Sequence, residues 1–293
     1  MTATSSDLPR AVLPRAVVAV LDSRVPDPGT RSTVLAVGIP FSALSWGPAD
    51  GRHLVLIHGV TASARIWWRV GPALAAPGRR VVAVDLPGHG LTGNWRGHHR
   101  FRDNAADVAA WIREADLATP VLQVVGHSWG AMTAAALPRA GIRPATLVLL
   151  DPPAVSHTRI SQMASDPSEQ PHRDLAATTA HLRVANPSWS PGDVEAKAEA
   201  LVQLDVDAAQ SVLLDNGDWD GGLADLAETV AAGIPAWVIR ADPAAGGFVP
   251  DDRMAAFESL LGPNRVITMS DTPHAPQRTH PAHTVRALLT ALG

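Results

Sequence analysis

One five-residue turn, between an apolar strand and an alanine-rich helix, constrains this chain more than any other feature. The turn reads Gly126-His127-Ser128-Trp129-Gly130, after the run VLQVV and before the run AMTAAAL. A turn this tight needs glycine on both sides of the serine, because close packing leaves no room for side chains. It lifts the serine hydroxyl above the sheet, at the positive end of the following helix. The context predicts Ser128 as a nucleophile; the alternative is a glycine-rich turn with an incidental serine.

Short apolar runs without clean alternation predict strands that are covered on both faces. Helix-period segments, such as Asn104–Ala115 and Ala131–Ala140, lie between these runs. We therefore expect an α/β fold with a doubly wound, mostly parallel sheet of about eight strands and helices on both faces. The predicted parallel strands are His53–Ile57, Arg80–Val84, Pro120–Val125, Thr146–Leu150, Ala236–Arg240 and Arg265–Met269. An antiparallel hairpin of Thr33–Val37 and Phe41–Trp46 leads into them.

The interval from Leu150 to Ala236, between the fourth and fifth of these parallel strands, is too long for a loop in a compact domain. It carries helix signals instead: Ser190 stands before Pro191, with Asp193 at the third helical position. Helical stretches are predicted at Val194–Leu204 and Ala208–Leu214. We expect residues 153–219 to form a helical lid inserted after the sixth strand, and the alternative is a decorative insertion. The core then comprises residues 31–152 and 220–293, and residues 1–30 form an N-terminal arm.

Composition excludes several classes of protein. The 293 residues carry a formal net charge of −4 and no cysteine, so disulfides, thiolate chemistry and cysteine-bound zinc are excluded. No basic tract favours nucleic acid or a membrane surface. The N-terminal apolar stretch Ala16–Leu21 is too short for a signal peptide, and no run is long enough to span a membrane. We expect a soluble, cytoplasmic monomer or homodimer that binds no nucleic acid.

A second motif, Leu56-Ile57-His58-Gly59-Val60, also follows a strand. Acyl transfer needs N–H donors for the oxyanion, one from the residue after the nucleophile and one from an earlier loop. The spacing assigns these donors to Trp129 and Val60. We expect His58 to be a structural histidine that holds this loop in place rather than a catalytic group.

The base that activates the serine must come from a loop at the same edge of the sheet. His274 lies on such a loop, after the last strand and before the final helix, in the stretch SDTPH. His280 and His283 are the competitors, at the start of the closing helix. Along the chain the serine comes first, then the acid, then the histidine. This order matches serine-nucleophile sites at a strand-to-helix turn of an α/β sheet.

These motifs resemble those of the α/β-hydrolase superfamily, in its lid-bearing esterase, lactonase and cofactor-free perhydrolase branch. The resemblance covers roughly residues 50–293, and its motifs are specific to the superfamily but to no substrate. It implies a Ser–His–acid triad with a backbone oxyanion hole. The residues that carry it are LIHG at 56–59, DLPGHG at 85–90, GHSWG at 126–130 and PHAPQRTHP at 273–281.

The acid departs from the usual pattern of this superfamily. Relatives commonly carry it after the seventh strand, where the aligned position falls near Ala244 and Asp242 stands two residues early. Haloalkane dehalogenases and zearalenone-type lactonases instead take it from the end of the sixth strand, where Asp151 stands here. Asp151 is preferred and Asp242 remains the alternative. Pro152 biases Asp151 toward an extended backbone.

The pocket is expected to contain His58 and Gly59 together with several tryptophans. Trp67, Trp68 and Trp129 are predicted to line it from the core, and Trp189 and Trp219 from the lid. No metal-binding motif and no dinucleotide fingerprint is present, so neither a metal nor an organic cofactor is expected.

The predicted function is hydrolysis of a carboxylic ester or lactone of a small to medium hydrophobic substrate, through an acyl-enzyme. The absence of tyrosine and the serine nucleophile argue against epoxide hydrolysis and haloalkane dehalogenation. The same triad is compatible with hydrolysis of carbon–carbon bonds or with perhydrolysis. A hydrolase-fold ligand receptor is the alternative outside the enzymes.

Overall fold

A computed structural model describes residues 12–23, 26–94, 99–166, 172–262 and 264–293 of the chain. Its main feature is an eight-stranded sheet with the order β1-β2-β4-β3-β5-β6-β9-β10. The strands β1 and β2 form the predicted antiparallel hairpin, β2 is antiparallel to β4, and all further pairs are parallel. The predicted doubly wound, mostly parallel sheet is therefore confirmed.

The strand bounds agree with the predicted runs to within three residues. The strands are β1 (Thr30–Ala36), β2 (Ile39–Trp46), β3 (Arg52–Ile57), β4 (Arg79–Val84), β5 (Gln123–His127), β6 (Thr146–Leu150), β7 (Ala154–Val155), β8 (Trp219–Asp220), β9 (Ala236–Ala241) and β10 (Val266–Met269). The short strands β7 and β8 pair only with each other, outside the main sheet.

Helices cover both faces of the sheet. They are α1 (Arg15–Leu21), α2 (Val70–Ala75), α3 (Phe101–Glu114), α4 (Trp129–Ala136), α5 (His157–Ala164), α6 (Leu175–Ala185), α7 (Pro191–Val202), α8 (Val206–Leu214), α9 (Leu223–Ala231), α10 (Asp251–Leu261), α11 (Pro276–Thr279) and α12 (Pro281–Leu292). Within the described ranges, no helix combines the length and the apolarity that crossing a bilayer requires.

Strand β3 shows how the core is divided into two layers. Leu54 and Leu56 pack in the layer that contains α1, α2 and α12. Val55 and Ile57 pack in the opposite layer, with α3, α4, α9 and α10. Because alternate residues of a strand point to opposite faces, a strand between two helical layers must be apolar at every position.

The N-terminal segment is more ordered than the predicted arm. Helix α1 packs against α2 and α12, and its Val17 is fully buried. Residues 1–11 and 24–25 of the predicted arm lie outside the described residues.

In the described part of the long interval between β6 and β9, helices α5 to α8 lie between β7 and β8, and α9 follows β8. The ribbon of β7 and β8 brings the two ends of this helical insertion together. Ser190 caps α7 by accepting a hydrogen bond from the Asp193 N–H, with Pro191 as the first helical residue. The sequence signals for a helical segment here were correct in type and place.

Candidate active site

The turn after β5 has the geometry that its glycines predict. Ser128 has φ 56° and ψ −128°, a sparsely populated conformation for a residue with a side chain. A Cβ on Gly126 would lie 2.2 Å from the Gly130 carbonyl oxygen. A Cβ on Gly130 would lie 2.3 Å from the His58 carbonyl oxygen. Both contacts are impossible, so only glycine allows this turn, and the turn holds Ser128 at the end of the strand.

Three side chains from three strand ends meet at this edge of the sheet. His274 Nε2 lies 2.8 Å from Ser128 Oγ, and His274 Nδ1 lies 2.6 Å from Asp151 Oδ2. Ser128 follows β5, Asp151 follows β6, and His274 stands on the loop after β10. The arrangement can pass a proton from the hydroxyl to the imidazole, while a carboxylate stabilises the resulting cation.

The carboxylate of Asp151 is fully buried, and backbone donors hold it in place. Its Oδ1 accepts a hydrogen bond from the Ala241 N–H (2.9 Å) and its Oδ2 accepts one from the Phe248 N–H (3.0 Å). Pro152 led us to expect an extended backbone at Asp151, but the backbone there is left-handed, with φ 43°. This conformation is uncommon outside glycine, and a network of fixed partners maintains it.

Asp242, the alternative acid, is engaged elsewhere. Its Oδ1 accepts a hydrogen bond from the Ala244 N–H (2.9 Å) and its Oδ2 one from the Asp271 N–H (2.8 Å). The Asp271 N–H and then the Ala244 N–H lower the pKa of this carboxyl group. Among the hydrogen bonds of the described residues, none joins Asp242 to His274.

The competing histidines do not reach Ser128. His280 and His283 stack on each other at the start of α12, with ring centroids 5.9 Å apart. Burial, and then the neighbouring His283, lower the pKa of His280.

The loop after β3 lies against the serine. A Cβ on Gly59 would lie 3.0 Å from the Ser128 Cβ, so the backbone there can approach the reacting group. Trp129 is the first residue of α4, and the first N–H groups of a helix have no intrahelical acceptor. Val60 lines the cavity in front of Ser128. The loop and the helix start thus bring two backbone segments to the serine.

A cavity of about 450 Å³ opens in front of Ser128 and His274, between the core and the helical insertion. One of its walls is apolar, and cationic side chains also reach it. Residues that line it include Gly59, Val60, Thr61, Ile66, Arg159, Ile160, Met163, Asp166, Trp189, Lys197, Leu213, Trp219, Phe248 and Arg278. Gly59, Trp189 and Trp219 therefore lie where the sequence placed them.

Comparisons with known proteins agree with this fold. Residues 52–183 match a family model described as the alpha/beta hydrolase fold. Lipase LipV of Mycobacterium tuberculosis is 29% identical over 265 residues, which cover 85% of this chain and 96% of that protein. The crystal structure of E-2-(acetamidomethylene)succinate hydrolase has a TM-score of 0.74 at 20% identity, and the match covers 90% of this chain and 98% of that chain. The comparisons show that the chain has the α/β-hydrolase fold.

A further structural match is the thioesterase domain from the curacin biosynthetic pathway. Its TM-score is 0.72 at 20% identity, and the match covers 90% of this chain and 100% of that chain. At this level of identity the likeness concerns the fold alone.

Four predicted pocket residues do not line the cavity in front of Ser128. Trp67 and Trp129 are fully buried, because Trp67 packs edge-on against His127 and the Trp129 ring lies 5.2 Å from that of His89. Trp68 points to the helical insertion instead, where its Nε1–H donates to Asp193 (2.9 Å). The predictions for Trp67, Trp68 and the Trp129 side chain were wrong, since a tryptophan near the site in sequence can also serve the core.

His58 is the fourth of these residues, and its ring is entirely buried behind the loop. Its Nδ1 pairs with the Gly59 carbonyl oxygen (2.8 Å), and its Nε2 accepts from the Leu86 N–H (3.0 Å). Burial lowers the pKa of His58 to about 4, so the ring is neutral. It ties the loop after β3 to Leu86, two residues after the end of β4, which is the structural role considered for it.

Sequence reasoning missed the residues that hold His274 and its loop in place. His127 Nε2–H donates to the His274 carbonyl oxygen (2.7 Å), and Gln277 Nε2–H donates to His127 Nδ1 (3.1 Å). The Phe248 ring lies edge-on to the His274 ring, with centroids 4.2 Å apart. His127 was visible in the turn motif, but its partner is far away in the chain and no pattern links the two.

Proposed function

We propose that this chain is a serine hydrolase that cleaves a carboxylic ester or lactone of a small to medium, mainly hydrophobic substrate. Ser128 is the nucleophile, His274 the general base and Asp151 the acid of the triad. The observation that carries the proposal is the unbroken path from Ser128 Oγ to His274 Nε2 (2.8 Å) and from His274 Nδ1 to Asp151 Oδ2 (2.6 Å), which opens onto the cavity.

The first half of the reaction forms the acyl-enzyme. His274 Nε2 takes the proton of the Ser128 hydroxyl as Oγ attacks the substrate carbonyl. The N–H groups of Val60 and Trp129 stabilise the oxyanion, and the dipole of α4 adds to the positive potential at Trp129. The intermediate then collapses, and His274 gives its proton to the leaving alkoxide.

The second half returns the enzyme to its first state. A water molecule loses a proton to His274 Nε2 and attacks the acyl carbonyl, and Ser128 leaves as the protonated alcohol. Asp151 keeps the proton of the imidazole on Nδ1 and stabilises the cation in both halves. Two backbone N–H groups hold the Asp151 carboxylate in the position that this role needs.

The wall of the cavity supports a hydrophobic acyl or alcohol group. Ile160, Met163, Leu213 and Trp219 come from the helical insertion and its closing ribbon, and they pack together beside the site. The names of the relatives, a lipase and a thioesterase domain, also favour an ester-type carbonyl. In this proposal the insertion acts as a lid that shapes the pocket for the substrate.

The test is turnover of a series of p-nitrophenyl esters of increasing chain length, with the acyl-enzyme trapped by rapid quench and measured by mass spectrometry. We expect hydrolysis by the wild type and a loss of about 10³-fold or more in kcat for Ser128→Ala. Ser156→Ala is the control, because Ser156 only caps α5 at the surface. Turnover by Ser128→Ala at the wild-type rate would refute the assignment. A wild type that binds esters without cleaving any would favour the receptor alternative.

A further inference from the structure

The oxyanion donor proposed at Val60 lies in a tight turn. The turn runs from Gly59 to Ala62, with Val60 and Thr61 as its two central residues. It is closed by a hydrogen bond from the Ala62 N–H to the Gly59 carbonyl oxygen, at 3.3 Å. This distance is longer than that of a normal N–H···O bond, so the bond restrains the turn only weakly. The direction of the Val60 N–H therefore depends on the other contacts that hold the turn.

A lysine of the helical insertion binds the middle of this turn. Lys197 Nζ donates hydrogen bonds to Thr61 Oγ1 (2.7 Å) and to the Thr61 carbonyl oxygen (3.2 Å). Lys197 is the single lysine of the sequence, and only 5% of its surface is exposed, although lysine is ordinarily among the most exposed residue types. Two bonds from one buried group to one residue fix the position of that residue better than a single bond does.

Helix α7, which carries this lysine, is itself fixed to the core. The Asp193 carboxylate accepts hydrogen bonds from Trp68 Nε1 (2.9 Å) and from the Arg69 guanidinium (2.6 Å). A Cβ on Gly192 would lie 2.6 Å from the Trp68 ring, so the start of the helix approaches that ring closely. Lys197 is four residues after Asp193 and lies on the same face of the helix. The helix therefore gives the lysine a fixed base from which it reaches the turn.

The flanks of the turn are held by residues of the core. His58 Nδ1 pairs with the Gly59 carbonyl oxygen (2.8 Å), just before the turn's central residues. The Ala64 N–H donates to Asp85 Oδ1 (2.7 Å), just after the turn. Neither contact involves the helical insertion. The turn thus has two sources of support, and the insertion supplies the contact of Lys197 at its centre.

We propose that Lys197 positions the Val60 N–H for the oxyanion by holding Thr61, so that the active site is complete only while α7 stays in place. The inference rests on the proposed function, because it names what orients one part of the same site. Lys197 is a positioning residue, since it acts through Thr61. An oxyanion donor acts on charge that develops in the transition state, so a loosened turn lowers kcat and leaves the binding of the substrate almost unchanged.

The first test is the kinetics of Lys197→Met, which removes the ammonium group and keeps most of the length of the side chain. We expect kcat for p-nitrophenyl butyrate to fall by about ten- to a hundredfold, less than the roughly 10²–10³-fold that the loss of a whole oxyanion donor costs, with KM unchanged within about threefold. Glu195→Met is the matched control, because it places the same residue at an exposed position of α7. Its kinetics should match the wild type. An unchanged kcat in Lys197→Met, or a rise in KM without a fall in kcat, would overturn the proposal.

Two ketones separate the oxyanion site from the rest of the pocket. Ser128 Oγ adds to the carbonyl carbon of 1,1,1-trifluoro-2-octanone, its proton passes to His274, and the carbonyl oxygen becomes an alkoxide in the oxyanion site. The related 2-octanone binds mainly as the unreacted ketone. Lys197→Met should raise the inhibition constant of the trifluoroketone by about the factor by which it lowers kcat, and should leave that of 2-octanone unchanged. Equal rises for both ketones would mean that the variant deforms the whole pocket, and would overturn the proposal.

The partner of the lysine is tested by a second pair of variants. Thr61→Val keeps the shape of the side chain and removes the Oγ1 acceptor, whereas Thr61→Ser keeps the hydroxyl group. The valine variant should lose kcat by a smaller factor than Lys197→Met, because the carbonyl acceptor remains, and the serine variant should stay near the wild type. In the double variant of Lys197→Met and Thr61→Val, the two losses should combine to less than their product, since both act through one contact. Losses that multiply would show that Lys197 acts elsewhere.

The last measurement does not depend on catalysis. Hydrogen exchange, followed by mass spectrometry, should be faster in the peptides covering residues 59–64 of Lys197→Met than in the wild type, and unchanged in Glu195→Met. Thr61→Val gives the same comparison if Lys197→Met does not fold. If the protein cleaves no ester, the proposed function fails, but this comparison still decides whether Lys197 holds the turn. Exchange at the wild-type rate in these peptides overturns the inference, whatever the kinetics.

Discussion

His127 and His274 are joined by a hydrogen bond of 2.7 Å, from the His127 Nε2–H to the carbonyl oxygen of His274. The two rings lie 4.9 Å apart, and His127 is fully buried. Burial, and then the neighbouring His274, lower the pKa of His127 well below its ordinary value, so the ring stays neutral and can donate and accept at once. The residue before the nucleophile thus holds the loop that carries the base.

Replacing His127 with leucine should therefore lower kcat about fivefold with little change in KM, because a hydrogen bond of this kind contributes about 1 kcal/mol. Gln277→Leu is the control, since it removes only the donor to His127 Nδ1 and leaves the bond to His274 in place. Its loss should be smaller. Steady-state kinetics measures both losses. Equal losses in the two variants would contradict a direct role of this bond.

The acid of the triad is tested by a pair of isosteric changes. Asp151→Asn should cost several orders of magnitude in kcat, since the matching change in a well-studied protease costs about 10⁴. Asp242→Asn should cost about tenfold at most, because its carboxylate binds the N–H groups of Ala244 and Asp271 rather than His274. The measurement is kcat on a p-nitrophenyl ester. A larger loss in Asp242→Asn than in Asp151→Asn would reverse the assignment.

The helical insertion is attached to the core at Asp193. Its buried carboxylate accepts hydrogen bonds from Trp68 Nε1 (2.9 Å) and from the Arg69 guanidinium (2.6 Å). Asp193→Ala removes the acceptor that Trp68 and Arg69 share and should reduce the free energy of unfolding by about 2–4 kcal/mol. It should also raise KM, because α7 carries part of the cavity wall.

The ion pair of Arg65 with Glu199 provides the matched control. It also joins the core to α7, at 3.2 Å, but both side chains are about a third exposed. Glu199→Ala should therefore cost less than about 1 kcal/mol. Urea unfolding gives both values. A cost for Glu199→Ala equal to that for Asp193→Ala would show that burial of the pair does not matter here.

Much of the fold and the centre of the site could be predicted from the sequence, because their signals are local. Ser128 stands in a turn that only glycines permit, and the strands are short runs of Val, Leu and Ile. The pocket was predicted less well, since whether Trp67 or Trp189 faces the cavity depends on packing between segments far apart in the chain. Lys197 is the only lysine in the sequence, but nothing in the pattern of α7 indicated that its side chain would be buried.

Buried neutral histidines should make the stability depend on pH. Burial lowers the pKa of His58 to about 4 and that of His89 to about 3, from 6.5 in the unfolded chain. At a pH between the folded and the unfolded pKa, the two histidines bind protons only in the unfolded state. Their contribution to the stability of the folded state is therefore fully present above pH 6.5 and declines as the pH falls toward the folded pKa. Each histidine should cost on the order of 3 kcal/mol by about pH 4.5.

Urea unfolding from about pH 7.5 to about pH 4.5 measures this dependence. His89→Phe should have a shallower slope than the wild type, because one of the buried histidines no longer titrates. A free energy of unfolding that stays constant over this range in the wild type would show that the two rings are not held neutral by burial.

The central claim is that Ser128 is the one activated hydroxyl, and covalent labelling tests it most directly. A fluorophosphonate probe should add one adduct per chain, located by peptide mapping at Ser128, and His274→Ala should slow the labelling by orders of magnitude. Ser128→Ala should take up no probe, while Ser156→Ala, at the surface cap of α5, should label like the wild type. Labelling of Ser128→Ala at the rate of the wild type would contradict the account.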